Sequence, residues 1–298
     1  MERNVQINPI NIRQSLVNYL EVTKPASVAL LVFTAWATMF VAAGGESLPL
    51  SFLIPALIAI TLGCGGANTI SCYIDLDLDT VMERTKKRPL PSGRIYPAEK
   101  ALYWGIFQLL AAVVIAWQIN YLSSLCILAG AFGYLFIYSI WLKRRSSWNI
   151  ILGGFSGAMP ALFGWAAVKG SLELLPFLIG AVVVLWIPNH IWSLAIFYSD
   201  DYHRVEVPMF SAVVDIKKAL HCIAATVILM YIFSILIYIY GGFGIYYLSI
   251  ALVTGAVSVA YSIYVYFKPS KKSAWVMFKI SSPYLFLLFL AMIIDIKF

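Results

Sequence analysis

Cys222-Ile-Ala-Ala-Thr-Val-Ile-Leu-Met-Tyr-Ile-Phe-Ser-Ile-Leu-Ile-Tyr-Ile-Tyr240 carries no charge and shows no alternation of apolar and polar residues. A run that long and that apolar reads as a membrane-crossing helix, and the missing two-residue period sets it against a membrane β-strand. Leu50–Ile60 reads the same way. The whole chain agrees, with 61% hydrophobic and 12% charged residues among 298 and a mean hydropathy of +0.85. That composition excludes an ordinary soluble domain and makes the bilayer the solvent. In hydrocarbon every backbone N–H and C=O must be paired within the chain, so only a helical bundle or a closed barrel can cross, and these runs select the bundle.

Runs near the length needed to cross a ~30 Å hydrocarbon core suggest about nine spans. They fall at 27–43, 52–74, 99–118, 122–141, 148–168, 173–197, 219–240, 243–267 and 275–294. The expected fold is an all-α polytopic membrane bundle, two four-helix repeats plus one helix, forming a single domain over 1–298. Residues 1–22 are expected to lie at the cytoplasmic interface, as a helix with Ile10, Ile12, Leu16, Tyr19 and Leu20 on its apolar side. They lack the charged-then-apolar plan of a signal peptide. With the N-terminus inside, every lysine and arginine except Lys169, Lys279 and Lys297 falls on the cytoplasmic side. A missed or invented span would scramble that division. The formal charge of +7 therefore gathers on one face, where anionic lipid headgroups alone could account for part of it. Cys64, Cys72, Cys126 and Cys222 are scattered through apolar spans, a pattern of neither disulfides nor a thiolate metal site.

The second span ends in Asn68-Thr-Ile-Ser-Cys-Tyr-Ile-Asp75-Leu-Asp77-Leu-Asp79. Carboxylates where an apolar helix meets the interface are costly unless paired or metal-bound. At about 100° per residue, Asn68, Cys72, Asp75 and Asp79 share an arc of roughly 60°, while Asp77 points away. A basic loop follows at once: Met82-Glu-Arg84-Thr-Lys86-Lys87-Arg88-Pro-Leu-Pro-Ser-Gly-Arg94. Acid and base could merely neutralise each other as a surface cluster. A diphosphate explains both, since Mg²⁺ held by Asp75 and Asp79 would bridge to its oxygens while arginine and lysine take the rest.

Four spans later the pattern returns in Trp186-Ile-Pro-Asn-His190-Ile-Trp-Ser-Leu-Ala-Ile-Phe-Tyr198-Ser-Asp200-Asp201-Tyr-His-Arg204. Both acidic segments end even-numbered spans, so both reach the same face, as in an internal repeat of four helices. Of the 18 Phe, 18 Tyr and 9 Trp, most are packing or belt residues. A few lining a cavity would suit an isoprenoid tail and an allylic cation, because ring faces attract positive charge without attacking it.

These motifs resemble the UbiA-type intramembrane prenyltransferases. Ser71-Cys72-x-x-Asp75-x-x-x-Asp79 falls on that family's Asn-Asp-x-x-Asp-x-x-x-Asp signature, matching its last two aspartates but not its first two positions. Asn68, one turn earlier, stands where it could replace the missing ligand. Tyr73-Ile-Asp75-Leu-Asp77-Leu-Asp79 and Met82–Gly93 are similar to the haem-farnesylating branch almost without a gap. So are Leu20–Pro25, Leu142–Ile150 with Gly153–Pro160 and Gly164-Trp165, and the His190-Ile-Trp192 and Asp200-Asp201-Tyr202 run ending Val207-Pro208-Met209. Departures are Asn189, where a second proline is usual, and Val205-Glu206, where Ala-Gly is usual.

The resemblance implies an integral protein of a prokaryotic cell membrane, with its N-terminus and active-site loops cytoplasmic. Its implied activity moves the farnesyl group of farnesyl diphosphate onto a vinyl group of haem B, giving haem O and diphosphate. Mg²⁺ is the implied cofactor, at Asp75 and Asp79 and also Asp200 and Asp201. Asp75, Asp79, Arg84 and Arg88 would be catalytic; Lys87 and Lys143 would help neutralise the diphosphate; and Asn68, Cys72, Arg94, His190 and Tyr198 would contact substrate. His190, an intramembrane imidazole, could ligate or orient haem iron or make a helix-packing hydrogen bond. Membrane lipid is the expected surrounding, haem A synthase or terminal oxidase assembly the expected protein partners, and nucleic acid is not expected. Two rivals stand beside this: a relative with a quinone-head or glycerol-lipid acceptor, and a secondary transporter, whose acids should lie nearer the midplane.

Overall fold

The computed structural model describes residues 12–297, and all the regular structure in them is helical. Among the described residues nine helices are long and apolar enough to cross a membrane: α2 (Pro25–Ala42), α3 (Leu50–Ile74), α5 (Glu99–Ile119), α6 (Tyr121–Leu142), α7 (Asn149–Lys169), α8 (Leu174–Phe197), α10 (Ile216–Gly241), α11 (Ile245–Phe267) and α12 (Lys271–Lys297). Shorter helices flank the spans, among them α1 (Ile12–Val22), α4 (Leu76–Val81) and α9 (Ser199–Arg204). The spans match the sequence expectation to within a few residues at each end. In α1, Ile12, Leu16 and Leu20 are exposed as an interfacial helix requires, and Tyr19 meets Trp104 edge to face at 6.1 Å. Arg3 and Ile10 lie outside the described residues.

Each span packs on the next in chain order and α12 returns to α2, which closes a ring. Further contacts cross-link the ring, chiefly α2 on α7 and α8 on α12, with α3 also on α6. In lipid such contacts depend on close packing more than on a hydrophobic drive, so small residues set them. A Cβ on Gly66 would lie 2.7 Å from the Gly105 carbonyl oxygen, so α3 and α5 touch backbone to backbone only because both positions are glycine. Gly164 does the same for α7 against the Ala35 carbonyl of α2.

The acidic segments are not straight continuations of their spans. Helix α3 stops at Ile74, Asp75 takes φ −92° and ψ 8°, and α4 begins at Leu76. The Asp79 N–H still donates to the Asp75 carbonyl at 2.8 Å, so the two residues keep their one-turn relation across the joint. An equivalent joint ends α8, where Tyr198 (φ −99°, ψ 30°) separates it from α9. Each acid-bearing span also packs on the span that follows it, α3 on α5 and α8 on α10. The two halves thus repeat at the level of local geometry.

Candidate active site

Asp75 and Asp79 are 4% and 5% exposed at the joint below α3. One oxygen of Asp75 lies 2.6 Å from Lys143 Nζ and accepts from Ser71 Oγ at 3.2 Å, while its Oδ1 is buried without a partner. Asp79 accepts from Arg88 Nη1 at 2.8 Å. A buried pair rarely recovers the cost of stripping water from both ions, so two of them with an orphaned oxygen point to function rather than stability. Arg88 is held above its ordinary value: burial opposes this, but the Asp79 carboxylate outweighs it. Asp77 faces away, as the helical angle predicts, and takes both oxygens to Arg144 at 2.6 Å.

The basic loop is folded by its own side chains. Thr85 Oγ1 donates to the Asp79 carbonyl (3.1 Å), Ser92 Oγ to that of Arg88 (2.6 Å), and Gly93 supplies the positive φ of +74° that turns the chain. The second half reaches across to hold it, because the Asp201 carboxylate accepts from the backbone N–H of Glu83 (3.2 Å) and Arg84 (3.1 Å). The Arg84 guanidinium then sits 5.6 Å over the Tyr198 ring, its Nε buried without a partner. Arg84 also faces Tyr202, whose hydroxyl burial pushes up while Arg84 pulls it down.

Helix α6 supplies the opposite wall by changing its winding. From Phe132 to Leu142 it is π-helical, and the i→i+5 pattern continues as the Lys143 N–H donates to the Tyr138 carbonyl at 2.8 Å. Such winding is rare, and where it occurs it is frequent at functional sites. Here it ranges Tyr134, Tyr138 with Ser139, and Lys143 along one face. The tyrosine rings stack at 5.8 Å, Lys143 Nζ lies 5.8 Å over Tyr138, and Ser139 Oγ is 3.4 Å from Ser71 Oγ. Lys24, before Pro25 in the left-handed region (φ 58°), reaches Tyr134 Oη at 3.4 Å. Burial would lower Lys24, but Tyr134 and Asp75 outweigh it and hold the ammonium charged. Lys24, Tyr134, Tyr138 and Tyr202 are thus site residues that sequence reasoning missed. The signal for Lys24 was its place in the Leu20–Pro25 stretch that resembles the family, and the positive-inside rule predicts a lysine there anyway.

Several expected residues are placed elsewhere. Asp200 is exposed (75% of its side chain) and bonds Lys271 at 2.8 Å, which holds its carboxyl below the usual range. With Tyr198 laid on Asp75, Asp200 falls on Asp77, and both point outward to a cation from later in the chain, Lys271 and Arg144. Asp201 spends its oxygens on backbone N–H groups, so the four-carboxylate metal set expected from the sequence is not gathered. Among the described residues no cluster of three or more acidic, His or Cys side chains forms a metal cage. Arg94, expected to contact substrate, rests here in a clamp. It bonds Glu21 through both nitrogens (2.6 and 2.8 Å), Asn18 Oδ1 (3.0 Å) and the Lys87 carbonyl (2.8 Å), which fastens α1 to the loop. Cys72 Sγ turns to the Val22 carbonyl at 3.6 Å and packs with Leu90 and Ile95. Asn68 is buried, with no hydrogen bond from its side chain among the described residues, and Lys87 is exposed.

Against known proteins, the chain matches the UbiA prenyltransferase family over residues 30–292. The chain belongs to that family. It is 54% identical over 286 residues to the protoheme IX farnesyltransferase of Desulforudis audaxviator, covering 95% of this chain and 90% of that one. The protein of that name from Thermoplasma volcanium is 39% identical, with 93% and 96% covered. Two solved structures share the fold. One belongs to work on digeranylgeranylglyceryl phosphate synthase in membranes (TM-score 0.79, 20% identical, 95% and 99% covered). The other is a UbiA homologue from Archaeoglobus fulgidus bound to GPP and Mg²⁺ (TM-score 0.64, 16% identical, 92% and 99% covered).

A UbiA-type prenyltransferase is expected to use Mg²⁺, and the residues here can be tested for it. Mg²⁺ keeps several waters and takes only one or two carboxylates plus substrate phosphates. Asp75, with its orphaned Oδ1, and Asp79 fit that need without a third protein ligand.

Proposed function

We propose that this membrane prenyltransferase moves the farnesyl group of farnesyl diphosphate onto a vinyl group of haem B. The observation that carries the reading is the pair of buried ion pairs, Asp75–Lys143 and Asp79–Arg88, at one end of an apolar helix. The printed names of relatives at 54% and 39% identity support the acceptor. Asp75 and Asp79 would hold Mg²⁺, which when bound draws charge onto the leaving diphosphate. Lys143 and Arg88, released from the carboxylates, turn to the phosphate oxygens with Arg84 and Lys24. The pairs seen here are the resting arrangement of groups that exchange partners when substrate enters.

The C–O bond of the allylic diphosphate breaks with its electrons on the diphosphate, which the basic groups stabilise as charge develops. The vinyl π electrons close on the allylic carbon, and water then takes the new cation beside the porphyrin and loses a proton. Tyr134, Tyr138 and Tyr202 wall the site with aromatic faces, which attract the cation and keep water from it until carbon–carbon bonding is complete. Both substrates are amphipathic, so a site at the end of a span leaves their apolar parts in the bundle and their anionic groups at the basic loops. The lysine and arginine distribution supports a cytoplasmic N-terminus and a cytoplasmic site in a prokaryotic cell membrane. Haem A synthase or terminal oxidase assembly would be the downstream partners.

The test is direct. Purified protein with farnesyl diphosphate, Mg²⁺ and either haem B or 4-hydroxybenzoate is assayed for product mass. Farnesylated, hydrated haem supports the reading; a prenylated benzoate with unmodified haem overturns the acceptor.

A further inference from the structure

Between the end of α8, the helix α9 and the starts of α10 and α12 lies a cleft of about 180 Å³. Its polar wall is Ser199, His203, Ser211 and Lys271, and its apolar wall includes Ile196 in the last turn of α8 and Ile216 at the start of α10. Pockets for whole small molecules run from about 300 Å³ upward, so this space suits one polar headgroup rather than a cofactor.

Charge selects the sign of the occupant. Lys217 and Lys218 follow Ile216, Lys272 follows Lys271, and these three are exposed with no ion pair among the described residues. Lys271 is held in place by Asp200 at 2.8 Å, yet an ammonium has three N–H donors and that contact uses one. The carboxylates alongside are Asp200 and Asp215, and Asp215 is engaged in capping α10, where it accepts from the Lys217 N–H at 2.9 Å. Four lysines against two carboxylates leave the cleft positive, and the N-terminal end of the α10 dipole adds to that.

Ser211 gives an independent sign of a ligand. It is 7% exposed, and its hydroxyl has no hydrogen-bond partner among the described residues. A wall kept only for packing would be better served by alanine, because a buried hydroxyl left unpaired is costly. The mouth of the cleft is apolar, with Val213 and Ile216 both exposed beside the lysines. A soluble anion gains nothing from those side chains, whereas the glycerol and first acyl carbons of a lipid would cover them.

We infer that this cleft holds the phosphate of an anionic phospholipid, with Ser211, Lys271 and His203 as its contacts. Basic pockets between spans at a membrane surface recognise lipid headgroups in this way. The inference does not depend on which acceptor is prenylated. Ser199 and His203, one turn apart on α9, face the cleft, while Asp201 of the same helix holds the Glu83 and Arg84 N–H groups. The headgroup therefore braces the helix that steadies the basic loop.

The full chain, delipidated in detergent, is titrated by native mass spectrometry with phosphatidylglycerol, with phosphatidylcholine of the same acyl chains, and with phosphatidylglycerol in millimolar inorganic phosphate. Wild type should take up one phosphatidylglycerol at least tenfold more tightly than phosphatidylcholine, and phosphate should not displace it. Ser211→Ala removes only an unpaired hydroxyl, so it should leave the thermal midpoint of the lipid-free protein unchanged and weaken phosphatidylglycerol binding about tenfold. Lys271→Gln should weaken it at least as much. Lys100→Gln, which removes the same charge at the start of α5, should leave it within about twofold. No preference for the anionic lipid in wild type, unchanged binding in either cleft variant, or equal weakening in Lys100→Gln overturns the inference. Displacement by inorganic phosphate makes the occupant a soluble anion and overturns the lipid assignment.

Discussion

Replacing Asp75 by Asn removes the carboxylate but leaves the Lys143 ammonium where it is, with 15% of its side chain exposed and its Nζ 5.8 Å over the Tyr138 ring. Breaking one side of a buried pair leaves an uncompensated charge and costs about 3 kcal/mol of stability. Converting the whole pair to uncharged groups of similar shape is close to neutral, because the desolvation of both ions is recovered. The double variant Asp75→Asn, Lys143→Met should therefore regain most of the stability lost by Asp75→Asn alone. Activity should not follow. Each group contributes charge stabilisation of the kind worth about 10²–10³ in kcat, so both variants should lose at least that factor. Thermal unfolding in detergent and mass-spectrometric detection of farnesylated haem give the two readings. Turnover within tenfold of wild type in the double variant, or a double variant no more stable than Asp75→Asn, would refute the idea that this pair is retained for chemistry at the expense of stability.

Other outcomes follow from the same geometry. Arg94→Ala should lower stability by about 1 kcal/mol through the lost clamp on Glu21 and Asn18, yet leave KM for farnesyl diphosphate within about twofold in steady-state assays; a large rise in KM would return Arg94 to the substrate. Arg88→Gln should raise that KM more than it lowers kcat. Glu206 occupies the left-handed region at φ 52° where Ala-Gly is usual in the haem-farnesylating branch, so Glu206→Gly should raise the unfolding free energy by about 1 kcal/mol. The Arg144 bond holds Asp77 below its ordinary value of 3.8. Its contribution is therefore complete above that pH and disappears as pH falls through the lower folded value. The stability difference between wild type and Asp77→Asn, under about 1 kcal/mol for so exposed a pair, should shrink to nothing on acidification.

The spans were legible because lipid enforces a length and a composition, and the positive-inside division fixed their number. The facing of Asp75 and Asp79 and the opposite facing of Asp77 followed from the helical angle alone. Cys72 shares that arc but turns its thiol to α1, a contact between residues 50 apart in sequence that the angle does not show. Asp200 was assigned by analogy of spans rather than by register. Once the Tyr198 joint is seen, its alignment with Asp77 explains its outward turn. No pattern in Phe132–Leu142 announces π winding, and without it the Tyr134, Tyr138 and Lys143 face cannot be drawn. Which cations of the basic loop turn inward depends on Asp201 reaching across from the other half, a tertiary fact absent from the loop itself.

The most direct measurement is the affinity of farnesyl diphosphate for wild type and for Asp75→Asn with Asp79→Asn, each with Mg²⁺ and with the metal chelated. Binding that is tight only with Mg²⁺ in the wild type, and weak in the variant under both conditions, is the predicted result. Equal affinity with and without the cation, or a variant that still gains from Mg²⁺, would contradict a diphosphate site built on those two carboxylates.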